Sequence, residues 1–384
     1  MTVRLVDRPD AFAGLLAEIA TARLVALDTE AASFHRYHDR IYLIQLSTTT
    51  LTAVIDPLGV GNLAPIGDLL ANPQVEKIFH DADYDLRLFD KEFGFHAANL
   101  FDTRIAAQFL NEPGIGLAAL LDKYFGLKAD KRFQRADWSV RPLSPAMLEY
   151  AAGDTVRLCE LYSILRAKLD EISRLSWVEE ECRLAERTRW TAPDVSELDF
   201  LRVKGAKALD RRSLALFRAL HGWRSRVADD LDRAEFRIVG NEVLLFLAQH
   251  PVDSVAELGR IKGIGREILD RRGEEIVAAI TEGRVVPESE LPSVPRPARR
   301  VADPACETRL EGLKRERNRL ATEFSLAPGV LCPNGTLEEI ARAEPENSES
   351  LIRVPGVRQW QVEVIGQALI AAMQMAEPTA VKEL

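Results

Sequence analysis

Leu24-Val-Ala-Leu-Asp28 is a short apolar stretch that ends in an acid, and the apolar stretches Ile41–Leu46 and Leu51–Ile55 follow it. Runs of this length predict three successive strands, arranged as an antiparallel meander. A further strand is predicted at Val75–His80. Helical patterns lie between and after these strands, at Asn62–Leu70, Asp83–Glu92, Thr103–Leu110, Leu117–Tyr124, Pro145–Leu169 and Leu175–Trp190. Strands that alternate with helices predict a layered α/β domain, which we place at residues 1–190.

The rest of the chain is predicted to be all-α. Helical patterns fill residues 205–285 and 305–384, and a proline-rich stretch at 286–304 is predicted to be an extended linker. The two helical segments share a weak internal repeat, because Leu258–Gly265 and Leu351–Val357 both place an apolar turn with glycine before the last helix. We therefore expect one α/β domain followed by two small related helical domains.

Composition sets limits on the function. The 384 residues are 47% hydrophobic and carry a net charge of −9, which is typical of a globular protein and not of a general polyanion binder. Arg202–Arg226 is the exception, with eight basic residues and one acid. No apolar run approaches the length that spans a bilayer, and the four cysteines are far apart. We expect a cytoplasmic protein without disulfides or a zinc site.

Acidic residues form the pattern with most chemical content. Asp28 and Glu30 are two residues apart on a strand, so their side chains face the same side. Asp85 follows the strand Val75–His80 and lies in the first turns of a helix. Tyr150 and Asp154 share one face of another helix. Taken singly, these acids also fit a solvated strand end or a helix cap. Together they offer only oxygen ligands, which suit Mg²⁺ or similar ions at a phosphodiester.

Their order resembles the three motifs of the DEDD superfamily of 3′→5′ exonucleases. The matching segments are Leu27-Asp-Thr-Glu30, His80…Asp85-Leu86 and Tyr150-x-x-x-Asp154. The Tyr-x₃-Asp spacing resembles the tyrosine branch, since the histidine branch would need a histidine where Glu149 stands.

Further segments resemble bacterial ribonuclease D, and the helical segments resemble HRDC domains. The former are Tyr42–Ser47, Phe101–Thr103, Gly116–Leu121 and Asp137–Leu143, and the latter are Leu220–Arg224, Asn241–Leu244 and Ile261–Gly265. One departure is the turn Asp232-Arg-Ala-Glu-Phe236, which lacks the proline of the Asp-x-Pro-x-Phe turn that is common in HRDC domains.

The resemblance implies an RNase H-like fold, with a mixed sheet flanked by helices, and hydrolysis of RNA from its 3′ end to nucleoside 5′-monophosphates. It implies two Mg²⁺ or Mn²⁺ ions held by Asp28, Glu30, Asp85 and Asp154. Tyr150 and Glu30 would be catalytic, with Tyr150 positioning the attacking water. The expected substrates are the 3′ ends of tRNA precursors and other small structured RNAs. We expect no organic cofactor, no membrane and a monomer.

Contacts to RNA are predicted from charge and position. Gln45 lies on the strand beside Asp28 and Glu30, although it also fits a polar core residue. Two basic clusters could hold the RNA backbone, and both also fit solvated surfaces. They comprise Lys131, Arg132 and Arg135 in one segment, and Lys207, Arg211 and Arg212 in another. Two other functions remain open at this point, an exonuclease acting mainly on DNA and a non-catalytic RNA-binding scaffold.

Overall fold

A computed structural model describes residues 3–128, 130–192, 198–295 and 303–375. The N-terminal part contains one six-stranded mixed sheet in the order β1-β4-β3-β2-β5-β6. Its strands are β1 (Arg4–Val6), β2 (Leu24–Ala31), β3 (Ile41–Ser47), β4 (Thr52–Ile55), β5 (Glu76–Phe79) and β6 (Leu100–Asp102). β2, β3 and β4 form the predicted antiparallel meander, while β5 and β6 extend the sheet in parallel from β2.

The outer strands were not predicted. β1 and β6 have three residues each, too few to show a period of two in the sequence. β3 is buried along its whole length, which explains why it reads as a continuous apolar run with a single amide, Gln45.

Helices cover both faces of the sheet. They are α1 (Pro9–Ile19), α2 (Pro57–Val60), α3 (Ala64–Ala71), α4 (Asp83–Phe93), α5 (Thr103–Phe109), α6 (Leu117–Phe125), α7 (Pro145–Gly153), α8 (Leu158–Glu171) and α9 (Leu175–Ala185). This arrangement confirms the predicted α/β class.

The single helix predicted at Pro145–Leu169 is wrong, because the chain breaks between α7 and α8. Gly153 ends α7, and Thr155 turns inward, with its hydroxyl 2.8 Å from the Ser47 hydroxyl of β3. Glycine and threonine are weak helix formers, so a buried hydrogen bond to the sheet is enough to favour the break.

The C-terminal half is helical in every described stretch, with one isolated bridge between Val239 and Ile264. We call the two helical units the first and second helical modules. The first contains α10 (Arg211–Asp230), α11 (Glu235–Ile238), α12 (Asn241–Gln249), α13 (Val255–Leu258) and α14 (Arg266–Val285). The second contains α15 (Pro304–Glu323), α16 (Pro328–Leu331), α17 (Asn334–Ala343), α18 (Ser348–Leu351) and α19 (Gln359–Met375).

Helix α10 starts at Arg211. Asp210 caps it by accepting hydrogen bonds from the backbone amides of Arg212 and Ser213. Residues 296–302 of the proline-rich stretch lie outside the described residues. The part before them stays against the first module, since Val294 packs on its core and Arg211 donates to the Leu291 carbonyl.

The second module packs on α9 of the α/β domain. The rings of Trp177 and Trp360 stack with centroids 4.8 Å apart, and Arg358 forms a 3.0 Å ion pair with Glu181. Glu180 accepts hydrogen bonds from the first backbone amides of α19, which supplies a cap from another domain. No described helix is both long and apolar enough to cross a bilayer.

Candidate active site

β2 supplies the first two acids of the site. Across the antiparallel pair, Asp28 lies opposite Gln45 and Glu30 lies opposite Leu43. Opposite residues share a face, so Asp28 and Glu30 point to the side of the sheet that Leu43 occupies. The register shifts after Glu30, and the chain leaves the sheet soon afterwards. The two carboxylates therefore lie where the strand ends, as the sequence predicts.

Asp85 approaches from the other face of β2. It lies in the first turn of α4 with 5% of its surface exposed, and it accepts a hydrogen bond from the Thr29 hydroxyl. Thr29 alternates with Asp28 and Glu30, so its side chain points to the opposite face. This contact brings a third carboxylate to the same strand end.

Asp102 fixes the loop that leads to Asp85. It caps α5, accepting a 2.7 Å hydrogen bond from the Arg104 amide. It also accepts hydrogen bonds from the backbone amides of Asp81 and Ala82, at 3.0 and 2.8 Å. Asp81 has a positive φ of 67°, so the turn before α4 is tight. One buried carboxylate thus holds the starts of two helices, a role that the sequence does not indicate.

α7 supplies Tyr150 and the fourth acid. Ala151 and Ala152 of this helix are buried in a cluster with Leu43 and Val54, so α7 covers the face that carries Asp28 and Glu30. Asp154 is the residue that ends the helix, still in helical conformation. The break after it does not separate it from Tyr150.

Aromatic rings hold Tyr150 in place. Its ring lies 5.8 Å from that of Phe133 and 5.9 Å from that of Trp138. Trp138 is 1% exposed, so it supports Tyr150 and cannot stack on RNA. A cleft of about 260 Å³ lies beside Tyr150 and Asp154 and is also lined by Lys128 and Arg132.

Burial raises the pKa values of all four carboxylates, and mutual repulsion adds to this at Asp28 and Glu30. Burial and repulsion from Asp85, Asp154 and Glu30 raise the pKa of Asp28 well above its usual range. Burial, together with Asp154 and Asp85, does the same to the pKa of Glu30. Burial raises the pKa of Asp85 to about 7 and that of Asp154 to about 6. Such crowding of acids is unfavourable near neutral pH unless a cation compensates it.

No three acidic, histidine or cysteine side chains in the described stretches are already arranged to hold a metal ion. The donor set nevertheless fits hard divalent cations, because four carboxylates provide only oxygen ligands and repel each other without a cation. Asp85 and Asp154 both help to raise the pKa values of Asp28 and Glu30, so the four acids lie within electrostatic reach of one another.

Burial raises the pKa of Tyr150 to about 12, with Asp154 as the next cause and Glu30 after it. Near neutral pH its hydroxyl keeps its proton. His80, which the sequence places at the strand end, is buried, and its pKa falls to about 4 because burial disfavours the charged ring. Its Nδ1 is 2.9 Å from the Thr103 hydroxyl, so His80 supports the fold beside the site.

The predicted RNA contacts fall into three groups. Gln45 is fully buried, and neither its amide nitrogen nor its oxygen has a hydrogen-bond partner in the described part of the chain. Lys131, Arg132 and Arg135 are exposed near the cleft, with Arg132 paired to Asp130 at 2.6 Å.

The third group lies in the first helical module. Lys207 is exposed, but Arg211 and Arg212 donate to backbone oxygens of the segment that follows α14. The acceptors are Leu291 at 2.9 Å and Val286 at 2.6 Å. These two guanidinium groups hold that segment against α10, whatever else they contact.

Comparisons with known proteins agree on both halves of the chain. Residues 3–170 match a family model described as 3′-5′ exonuclease, and residues 213–280 and 307–373 each match the HRDC domain model. A curated ribonuclease D from Granulibacter bethesdensis is 32% identical over 96% of this chain and 91% of its own length.

Solved structures give the same result. The crystal structure of Escherichia coli RNase D, described as an exoribonuclease involved in structured RNA processing, aligns with a TM-score of 0.67 and 27% identity. That alignment covers 98% of this chain and 99% of the other. The catalytic core of RRP6 from Trypanosoma brucei aligns with a TM-score of 0.68 and 28% identity, covering 73% of this chain and 79% of that one.

Proposed function

The chain belongs to the ribonuclease D family and is a 3′→5′ exoribonuclease, and on that premise we propose that it trims the 3′ ends of tRNA precursors with two divalent cations bound by Asp28, Glu30, Asp85 and Asp154. The observation that carries the metal assignment is the convergence of these acids at one strand end, with pKa values raised by burial and in part by mutual repulsion.

When bound, a pair of Mg²⁺ or Mn²⁺ ions would activate water and stabilise the attacking and leaving oxygens of the phosphodiester. Glu30, Asp28 and Asp154 approach from the Leu43 face of the sheet, and Asp85 approaches from the Thr29 face. The ligands thus come from three separate elements, β2, α4 and the end of α7. This arrangement leaves the cleft beside Tyr150 for the terminal nucleotide.

Tyr150 positions the attacking water. A phenol with a pKa of about 12 stays protonated at neutral pH, so it can donate a hydrogen bond but is a poor general base. Within the described residues no partner occupies its hydroxyl, whereas its ring is held by Phe133 and Trp138. The hydroxyl is therefore free to hold a water while the ring stays fixed.

The RNA preference is supported by two similar structures, the RRP6 catalytic core and an RNase D described as an exoribonuclease involved in structured RNA processing. Precursors of tRNA are structured RNAs whose 3′ end is a short single strand. Such an end can enter the cleft while the folded body stays outside.

The test uses a 5′-labelled tRNA that carries a few extra 3′ nucleotides, incubated with the full chain in Mg²⁺ or Mn²⁺. We expect products shortened from the 3′ end that accumulate near the mature end, and no shortening in EDTA. Asp85→Asn should abolish the shortening. The matched control is Asp83→Asn, because Asp83 lies in the same helical turn but is exposed and paired with Arg87.

A matched single-stranded DNA distinguishes the substrates. Equal or faster loss of the DNA would contradict the RNA assignment, and random shortening past the mature end would contradict the tRNA assignment. Full activity of the Asp85→Asn variant would show that Asp85 is not a metal ligand.

A further inference from the structure

The first helical module contains a polar cavity of about 430 Å³ at its surface. Its walls combine an exposed aromatic ring, an amide and several charged groups. They include Phe236, Asn241, Arg202, Lys204 and Arg224. Phe236 is 50% exposed, so one face of its ring is open to a ligand.

The floor of the cavity is a buried arginine. Arg224 is 2% exposed and donates to the Asn241 side chain at 2.6 Å and to Glu235 at 2.9 Å. Its Nε has no hydrogen-bond partner in the described stretches. Asp199 Oδ1, also in the cavity lining, likewise has no hydrogen-bond partner within the described residues. Buried polar atoms are normally satisfied, so one open donor and one open acceptor suit a ligand that offers both, such as a nucleobase.

The charges of the cavity favour an anion. Arg202, Lys204 and Arg224 face the carboxylates of Asp199 and Glu235, which leaves one net positive charge. Arg224 and Glu235 neutralise each other, and Arg202 lies 3.3 Å from Asp199. Lys204 is exposed and forms no ion pair within the described residues. It is the cation available to a phosphate.

A continuous series of rings and cations joins this cavity to the active site. Phe133 contacts Tyr150, and two residues further along its segment the Arg135 guanidinium lies 5.3 Å from the centre of the Phe34 ring. The Phe34 ring lies 4.9 Å from that of Phe236, at the cavity wall. Alternating aromatic faces and cations are typical of single-strand binding grooves.

Arg237 completes this series. Its guanidinium lies 5.4 Å from the centre of the Phe34 ring and 5.9 Å from that of Phe236. Neither Arg135 nor Arg237 forms an ion pair with an acid in the described part of the chain. Both are therefore able to contact phosphates.

Hydrogen bonds fix the module against the loop that follows β2. The Asp232 carboxylate accepts from the His38 amide at 2.9 Å, and Arg237 Nε donates to the Phe34 carbonyl at 2.9 Å. The Ala234 amide donates to the His35 carbonyl at 3.1 Å. Ala234 stands where the common HRDC turn has proline, and a proline there could not donate this bond. The departure from the pattern thus supplies an interdomain contact.

We propose that this cavity, with Phe34, Phe236 and Lys204, binds nucleotides on the 5′ side of the RNA whose 3′ end lies at Asp28 and Glu30. The inference rests on the proposed function, because it assigns a second contact to the same RNA. A nucleobase stacks on the exposed Phe236 ring, and a phosphate lies against Lys204. The basic residues at the start of α10 are not needed for this contact.

Binding is measured without cleavage. The full chain in EDTA is titrated against a 5′-labelled single-stranded RNA of about a dozen nucleotides, at several salt concentrations, by fluorescence anisotropy. Lys204→Gln should lower the slope of log affinity against log salt by about 0.7, the value for one phosphate of a single strand. Lys262→Gln removes an equal charge from an exposed site outside the cavity and should leave the slope unchanged.

Phe236→Leu tests the stacking contact. Leucine keeps an apolar side chain against Phe34, so the junction is retained while the aromatic face is lost. The affinity for the RNA should fall by about fivefold or more, with an unchanged salt slope. A melting temperature equal to that of the wild type checks that the variant is folded.

The outcomes separate this inference from the proposed function. Equal salt slopes for Lys204→Gln and Lys262→Gln, an unaltered affinity for Phe236→Leu, or no measurable binding by the wild type would each overturn the inference. Wild-type protein that binds the RNA in EDTA but never shortens it in Mg²⁺ or Mn²⁺ would instead overturn the proposed function.

Discussion

Asp85→Asn should make the metal-free protein more stable while it removes activity. Asp85 is buried, and burial raises its pKa from 3.8 to about 7. Above pH 7 the carboxyl is charged in both the folded and unfolded states, so the folded state bears the full cost of the shift. At about 1.4 kcal/mol for each tenfold change in proton affinity, the cost is about 4 kcal/mol.

The sign of the pH dependence follows from the raised pKa. Below pH 3.8 the carboxyl is neutral in both states, and it costs no stability. As the pH rises from there to about 7, stability is lost, with about 2 kcal/mol lost by pH 5. Asparagine carries no charge at any of these pH values, and its side-chain oxygen can still accept the Thr29 hydroxyl. The gain from Asp85→Asn should therefore be larger at pH 8 than at pH 5.

The assay is differential scanning calorimetry of the full chain in EDTA at both pH values. A gain of about 4 kcal/mol raises the transition of the α/β domain by about 8–16 °C at pH 8, and by about half as much at pH 5. Adding Mn²⁺ or Mg²⁺ should then raise the transition of the wild type more than that of Asp85→Asn, since the cation relieves the same repulsion.

The control is Asp83→Asn, an exposed acid paired with Arg87, which should change stability by less than about 1 kcal/mol. If Asp85→Asn destabilised the protein equally at both pH values, the reasoning would be refuted. That result would mean that the folded protein stabilises the charged Asp85 carboxylate. A gain that does not depend on pH would also refute it.

Further variants test other parts of the structure. Tyr150→Phe should lower kcat by about a hundredfold or more with little change in melting temperature, since only the water contact is lost; unchanged kcat would contradict the positioning role. Gln45→Met should stabilise the protein by about 1–3 kcal/mol in urea denaturation, because the buried amide has no described partner; destabilisation would show that Gln45 has one. Ala234→Pro fits the backbone, with φ at −52°, but removes the amide that donates to His35, so we expect a higher KM for long RNA and an unchanged fold by circular dichroism. An unchanged KM would mean that the junction does not position RNA. Trp360→Ala should cost about 3–5 kcal/mol, measured by calorimetry, because its buried ring stacks on Trp177; a loss below about 1 kcal/mol would mean that the second module docks without it.

The sequence predicted the elements with long, regular patterns. The meander β2–β4, most of the longer helices around it and the helical C-terminal half are local features, because hydrophobic periodicity depends only on near neighbours along the chain. Helix α1 (Pro9–Ile19) was missed, although it has 11 residues. β1 and β6 were not predicted, because a strand of three residues is too short to show a hydrophobic period. The break after α7 was not predicted, because it depends on the hydrogen bond between Thr155 and Ser47 of β3.

The sequence also identified the acids, since residue type and order are enough to indicate oxygen ligands. It could not indicate how they meet. Asp85 reaches the site from the opposite face of β2 through Thr29, and Asp102 holds the turn before it from another strand. The sequence also could not indicate that Trp138 is buried behind Tyr150, although basic residues precede it in the sequence.

Charge along the chain identified the basic stretch Arg202–Arg226, but the tertiary structure decided which of its cations remain available. Arg211 and Arg212 donate to the backbone after α14, whereas Arg237, Arg135 and Phe34 come together only where two domains meet. Residue type and spacing determine which groups can do chemistry, because these are local properties of the chain. Folding alone determines which of those groups share a surface, because contacts such as that between Phe34 and Phe236 join residues about two hundred positions apart.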